Sequence, residues 1–429
     1  MQLEIKNQKS NTHNTDIVIL GAGIGGYETF RALAKLLRRY RLNKRITIID
    51  QNNYFTFIPL LHEVASGAVE PTHAAMPLRE LTYRTPHRFL KATVQKIDPE
   101  KKIVTTDHGE INYDYGVIAM GSAANYYGVP GAEKYSYHVR TLGGAMRLRH
   151  NLIEALEGRQ QNITLTVVGG GNTGVEVAGQ FADLITHDLK KLYSEKNLTL
   201  RLVQTGPTLT PQLPPKAQRY IWQHLERHGV TILANTAVKE VKQTSVVVAS
   251  TGGSTTAQEL ASDFTIWCAG FGNIAHCFFT QGMCTTDHRI PTTPFLHHPS
   301  YPTLYAVGDI GLVLDRTTAQ PLPQLGEVAY HEGRYVGHQI VAQLRNKKFP
   351  PFRFRSKGIL MPLGERDGLG IIGPFFITGI LAWWLRRTVY LLFMPGILRK
   401  LRIVVDWTLR LFGFNYIIAV ERNQQTINK

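Results

Sequence analysis

Apolar residues fall in short blocks along this chain, and their spacing switches repeatedly between that of strands and that of helices. Ile17 to Leu20 is a four-residue apolar run, the length of a buried strand. A helix-like stretch follows at about 24–40, then a strand at 46–50. The same order returns later. Leu165 to Val168 is strand-like and opens a second helix-like stretch, followed by a strand at 198–204, a helix near 215–228 and a strand at 230–233. Between the two lie short β-like runs, Val94 to Ile97 and Lys102 to Thr106, and a strand at 115–119. FTIWCAG at 264–270 reads as a buried strand ending in small residues, and LYAVGDIG at 304–311 as a strand ending in an acidic turn. A helix with apolar spacing follows at about 326–345.

The joints between strand and helix carry the chemistry. ILGAGIGGYE at 19–28 and VVGGGNTGVE at 167–176 are glycine-rich turns of the dinucleotide-binding type. Gly21 and Gly169 allow the tight turn, Gly23 and Gly171 admit a pyrophosphate, and Gly26 and Gly174 let helix pack on strand. The anion then rests on a helix N-terminus. One such turn is weak evidence, but two in context point to a flavoprotein that holds two dinucleotides. The expected class is α/β, with two Rossmann-type dinucleotide-binding domains, one inserted in the other, plus a C-terminal membrane-anchoring helical region. The expected boundaries are a flexible tail at 1–15, an FAD-binding domain in two parts at 16–160 and 291–348, an NAD(P)H-binding domain at 161–290, and a membrane-association region at 349–429.

That last region departs in composition. GLGIIGPFFITGILAWWL at 368–385 holds 18 residues without a charge, before Arg386 and Arg387. A membrane span needs about 20 mainly apolar residues, and this stretch contains four Gly and one Pro. ILRKLRIVVDWTLRLF at 397–412 suits a helix lying in a membrane interface better. Arg399, Arg402, Asp406 and Arg410 share one stripe, with Ile397, Leu401, Val404, Leu411 and Phe412 across from it. The alternative is a helix at a dimer interface or in a core.

Composition narrows the partners. The chain has 429 residues, 43% of them apolar, enough for two or three domains. Its 48 Lys and Arg against 32 Asp and Glu give a net charge of +16. A basic surface suits anionic lipid or nucleic acid. No basic run interleaved with aromatics resembles an RNA-binding module, so lipid is the expected partner and nucleic acid is not, the alternative being a generally basic but inert surface. Cys268, Cys277 and Cys284 form no CxxC and no disulfide framework, as in a reducing compartment. They also lack the pair a flavin disulfide reductase needs, and no metal site is expected. The first fifteen residues have no apolar core of a secretory signal.

Four further side chains matter. An acid at the end of the second strand accepts ribose hydroxyls. Asp50 stands there after the first turn, which suits FAD or NAD. Gln204 stands there after the second. An amide does not repel a 2′-phosphate, so either NADPH is admitted beside NADH, or Gln204 still binds the ribose hydroxyls and NADH stays preferred. Asp309, in AVGDIG, is placed to accept a ribitol hydroxyl. Glu176 follows the second turn, either as a partner of the helix dipole or near the nicotinamide–flavin contact, orienting a substrate or relaying a proton.

These residues resemble one family over about 16–415, the type II NADH:quinone oxidoreductases, which are single-chain, membrane-associated FAD enzymes. The resemblance rests on ITIIDQNNYFTFIPLLHEVASGAVEP at 46–71, YDYGVIAMGSAANYYGVPG at 113–131, GGGNTGVEVAG at 169–179 and the segment at 377–412. It implies Gly21, Gly23, Gly26, Asp50, Val94, Gly121 and Asp309 at FAD, and Gly169, Gly171, Gly174 and Gln204 at the pyridine nucleotide. Ala22, Gly25, Gln51, Ala119, Leu325, Gly326, Asn172, Thr173 and Gly270 are further cofactor-binding positions in the same stretches. Lys357, in SKGILMPLG, matches a family lysine near the flavin ring, and Glu176 the glutamate implicated in catalysis. The resemblance implies electron transfer from NAD(P)H through FAD to a membrane quinone, monotopic attachment to the cytoplasmic face of the cell membrane, and a homodimer.

Two departures stand out. LGEVAYHEG at 325–333 puts Glu327 and His331 where the family usually has glutamines bordering flavin and quinone. They either supply protons to the quinone, change which quinone binds or mark a different acceptor, or they are an ordinary surface pair at helical spacing. Cys268 replaces a common threonine and is expected to be buried and structural. The competing readings are a sulfide:quinone-reductase-like enzyme, which needs cysteines on both sides of the flavin, and a flavin-bearing redox sensor of the apoptosis-inducing-factor type.

Overall fold

The computed structural model describes residues 13–252, 256–279, 283–394 and 396–411. Strand β1 (His13–Leu20) leads through the first glycine turn into α1 (Ile24–Arg39) and back to β2 (Ile46–Asp50). A short helix, α2 (Leu61–Ala65), and a long strand, β3 (Gly109–Ile118), precede α3 (Leu142–Glu157). The second turn joins β4 (Asn162–Val168) to α4 (Asn172–Asp183), followed by β5 (Asn197–Val203), α5 (Pro215–Arg227) and β6 (Val230–Leu233). Then come β7 (Phe264–Trp267), β8 (Tyr301–Ala306) and α6 (Gly326–Leu344). The chain closes on β9 (Ile359–Pro362), β10 (Gly368–Ile372), β11 (Phe375–Thr378), α7 (Ile380–Phe393) and α8 (Ile397–Leu411). Of the segment read as a tail, residues 1–12 lie outside the described residues. His13 to Thr15 instead begin β1, paired with Ile111 to Tyr113.

The chain divides into two compact units. The first comprises residues up to Thr56, Met76–Ala123 and Phe271–Arg355. Its sheet runs β8-β3-β1-β2 in parallel and continues to Arg88–Lys91, with the short strand His297–His298 antiparallel on β8. Leu20 sits between Ile49 and Ile118 in register, and these side chains join Val18, Leu304 and Ala306 in one core. Burial on both faces is what a central parallel strand requires. α1 buries Phe30, Leu33, Leu36 and Leu37, one stripe at three- and four-residue spacing. α6 packs along α1 closely enough that a side chain at Gly333 would collide with the Gly25 carbonyl.

The second unit comprises Phe57–Ala75, Ala124–Gly270 and the residues from Ser356. Its parallel sheet runs β7-β4-β5-β6, with Ser136–Tyr137 on the outer edge of β7. Thr236–Val241, Ser245–Ser250 and Gln258–Ala261 form a separate antiparallel sheet. α3 is absent from the sequence expectation, although Ala145, Leu148, Leu152 and Leu156 are buried at helical spacing. Thr141 caps it by accepting from the Gly144 amide at 3.0 Å.

The C-terminal part corrects the sequence reading. The uncharged stretch at 368–385 is not one segment: it is β10, a turn, β11 and the first part of α7. β9, β10 and β11 form an antiparallel sheet against which α7 packs. No described helix is long and apolar enough to cross a membrane. Arg386 and Arg387, which follow the uncharged stretch, are core residues. On α8 the buried face is Ile403 and Trp407 with Asp406 beside them, so Asp406 faces inward. Ile397, Leu398, Leu401, Val404 and Val405 are exposed. Phe412 lies outside the described residues.

Candidate functional site

In the first unit, Gly21 has φ +91°, and an added Cβ would lie 2.5 Å from the Ala119 carbonyl oxygen. That is the left-handed turn only glycine takes without strain. At Gly26 a side chain would collide with the Gly21 carbonyl. Gly23 is the reverse case: an added Cβ meets nothing within 4 Å. It caps α1 with no side-chain hydrogen bond, so the first helical amides face open space at the positive end of the dipole. Asp50 closes the turn, one carboxylate oxygen accepting from the Ala22 amide and the other from the Asn52 amide, each at 2.8 Å. Burial raises the Asp50 carboxyl above its usual range despite those two donors.

The expected flavin positions converge here. Gly25 packs under Val307, and Gly326 approaches Ile24. Asp309 accepts from the Ser122 hydroxyl at 2.5 Å, beside Gly121, and its carbonyl accepts from Gln324 at 2.8 Å. A pocket is lined by Gly308, Asp309, Leu325, Val328 and Glu332. Gln51 is exposed next to Asp50. Val94 is partly buried against the core of this unit.

One residue in this pocket escaped the sequence reading. Glu332 is 2% exposed and accepts from the Gly308 amide at 2.6 Å. Burial pushes its carboxyl up to about 8, the Gly308 donor working against that and Asp309 with it. The available signal was periodicity: Val328 and Glu332 fall four residues apart on the buried face of α6. Glu327 and His331 are half-buried on the same helix, and His331 rests against Tyr330 and Phe354.

The second unit repeats the turn. Gly169 has φ +105° and an added Cβ would lie 2.6 Å from the Ala269 Cα, next to Gly270. Gly174 abuts the Gly169 carbonyl, and Gly171 faces open space at the N-terminus of α4. Asn172 accepts from Gln212 at 2.5 Å, with Thr173 half-buried beside it. Gln204 takes the part of Asp50, its Oε1 accepting from the Gly170 amide at 2.8 Å. That bond engages the amide oxygen and leaves the NH2 as the group free to donate, where Asp50 carries only acceptors. Cys268 is half-buried, and burial together with Glu176 pushes its thiol up to about 12, so it is protonated and unreactive at neutral pH. Lys357 is exposed just before β9.

Glu176 lies on the first turns of α4. Burial pushes its carboxyl up to about 7, Arg386 pulling down and Glu63 pushing up. It belongs to the second unit, whereas Glu327 and His331 belong to the first. Beside it is a charge cluster that sequence reasoning did not find. Arg386 donates to Glu63 Oε1 at 3.0 Å and to the Pro59 carbonyl at 3.0 Å. Trp407 donates to Glu63 Oε2 at 2.8 Å. Arg387 lies over Trp383 at 3.5 Å and Trp407 at 4.5 Å. Burial alone would raise the Glu63 carboxyl, but Arg387 and Arg386 hold it down at about 2. Charged residues in an otherwise apolar helix pattern give no sequence signal of burial.

Comparison with known proteins places this geometry. The family model for pyridine nucleotide-disulphide oxidoreductases matches residues 15–333. The type II NADH:quinone oxidoreductase of Mycobacterium tuberculosis is 26% identical over 96% of this chain and 90% of its own length. That of Staphylococcus haemolyticus is 26% identical over 87% of this chain and 93% of its own. Among solved structures, NDH2 from Plasmodium falciparum in complex with NADH has the same fold, with a TM-score of 0.84 at 19% identity over 94% of this chain and 99% of its own. The sulfide:quinone oxidoreductase of Aquifex aeolicus follows at 0.72, with 21% identity over 88% of this chain and 90% of its own.

Proposed function

Because this chain belongs to the pyridine nucleotide-disulphide oxidoreductase family, we propose that it oxidises NADH and passes the electrons through FAD to a quinone at a membrane surface. The observation that carries the reading is the pair of glycine turns, each closed by the side chain at the end of the next strand. Gly23 and Gly171 leave open the cradles a pyrophosphate needs at helix N-termini, so the residues fit two dinucleotides. The first unit holds FAD through Asp50 and Asp309, and the second holds NADH through Gln204. The relatives named above support NADH as donor and quinone as acceptor.

FAD, when bound, supplies a two-electron relay between nicotinamide and acceptor. The chain's own residues bind, orient and move protons. NADH gives up a hydride, which is two electrons and one proton; the quinone takes two electrons and two protons, the second drawn from water. Glu176, whose carboxyl is held near neutrality, exchanges protons at physiological pH. Glu327 and His331 border the acceptor. The exposed apolar positions of α7 and α8, among them Leu381, Leu392, Leu398 and Leu401, form the lipid-facing surface. Attachment is peripheral, at the cytoplasmic face, and the enzyme is a homodimer.

Anaerobic mixing with NADH tests this. Flavin absorbance should bleach with NADH and return on adding a quinone. Bleaching without reoxidation by any quinone would overturn the acceptor, and no bleaching would overturn the reaction.

A further inference from the structure

The parallel sheet of the second unit has a switch point. β5 lies on one side of β4 and β7 on the other, and a dinucleotide crosses the crevice outside the carboxyl ends of strands arranged this way. On the proposed reading, Gln204 at the end of β5 takes the adenosine ribose, and the pyrophosphate rests over Gly171 at the head of α4. The adenosine half then occupies the β5 side of β4. The nicotinamide half is left to run over the end of β7.

Tyr127 stands at that end. Its ring is 63% exposed, and its backbone holds φ +50°, a left-handed conformation that is costly for an aromatic residue. The loop that carries it is fastened to β7 and the residues just after it. The Asn125 amide donates to the Gly270 carbonyl at 3.3 Å, and the Trp267 indole donates to the Asn125 carbonyl at 2.8 Å. The Asn125 side chain accepts from the Tyr127 amide at 2.8 Å. The Tyr127 hydroxyl fills the place of a side chain at Gly270, where an added Cβ would lie 2.3 Å from it. Gly270 follows Ala269, the residue against which Gly169 closes the second turn. Glycine or asparagine would take the turn at 127 with less strain, so the strained backbone is held for the sake of the ring.

We propose that Tyr127 is a further residue of the pyridine-nucleotide site, its ring forming the wall against which the nicotinamide half packs. A ring face open to water before binding is covered on binding, and it contributes apolar and stacking contact to that half alone. The inference rests on the reading of the second turn as the NADH site.

Calorimetric titration of the oxidised, FAD-loaded protein with NAD+ and with ADP tests it, since ADP lacks the nicotinamide and its ribose. Tyr127→Asn accepts the same backbone turn without the ring. It should weaken NAD+ binding about tenfold and leave ADP within about twofold of the parent. Tyr127→Phe keeps the ring and should hold both within about twofold. A distorted loop would weaken NAD+ and ADP alike, and that result overturns the proposal, as does unchanged NAD+ affinity in Tyr127→Asn. Should that variant fail to fold, nitration of Tyr127 in the parent, read by mass spectrometry, decides instead. NAD+ at saturation should slow it severalfold and ADP should not, and equal rates with the two would overturn the assignment. If neither compound binds the parent, the reading of the second turn falls and this inference with it. If both bind parent and Tyr127→Asn alike, the NADH site stands and only the role of Tyr127 falls.

Discussion

Gln204 and Asp50 occupy equivalent places, yet one carries a donor beside its acceptor and the other only acceptors. Gln204→Glu keeps an oxygen for the Gly170 amide and turns a negative charge toward the ribose. The NADH-to-NADPH ratio of kcat/KM should rise about tenfold, ~1.4 kcal/mol of discrimination, in steady-state assays with both cofactors. Glu332 is a second test at this scale. Its folded-state carboxyl, at about 8, lies above the ordinary value near 4.5. The folded chain therefore binds more protons than the unfolded chain between those limits, and this group costs stability progressively as pH rises through them. Glu332→Gln keeps an acceptor for the Gly308 amide and removes that cost. Its Tm should exceed the parent's at pH 8.5 and match it at pH 5. The glycine turns were legible in sequence because backbone geometry leaves glycine little competition there. Glu332 was not, because a carboxylate within a helical pattern is ordinarily a solvated one.

Among the elements, α8 was foreseen as amphipathic, but its faces were assigned by charge and the structure assigns them by contact. Asp406 and Trp407 look inward to His73 and Glu63, while Leu398 and Leu401, 68% and 55% exposed, look out. Deleting everything from residue 368 onward would remove β10, β11 and the buried Arg386, and so would report on folding as much as on membranes. Leu398→Glu with Leu401→Glu alters the outer face alone. Each full leucine burial is worth about 1.5–3 kcal/mol, so partition onto lipid vesicles should fall at least tenfold in a sedimentation assay, with thermal stability in solution unchanged. The β-hairpin at 368–378 was hidden by its uniform apolarity. Periodicity does not separate a two-sided buried strand from a helix, and only Gly373 and Pro374 marked the turn.

For the whole molecule, the net charge of +16 sets the long-range behaviour. Each Lys or Arg near an anionic bilayer is worth about 1 kcal/mol at physiological salt, within a Debye length of ~8 Å. Binding to anionic vesicles should weaken steeply between 0.05 and 0.5 M salt, while the smaller binding to neutral vesicles should hardly change. Equal salt dependence on both surfaces would assign the basic excess to solubility alone. The α/β class and its duplicated turn were readable because strand, turn and helix are local. What brings residues 63, 386 and 407 together is not local, and no window along the chain contains it.

That separation bears on how the protein is made. Glu63 meets Arg386 across 323 positions and Trp407 across 344. A chain emerging from the ribosome carries Glu63 early, with neither counter-ion nor indole yet synthesised, and contacts of such sequence separation close late. The second unit therefore completes its interior only when the last helices have left the exit tunnel. The exposed apolar positions of α7 and α8 are placed by that same step, so a chain abandoned midway presents an unfinished core before it presents that surface.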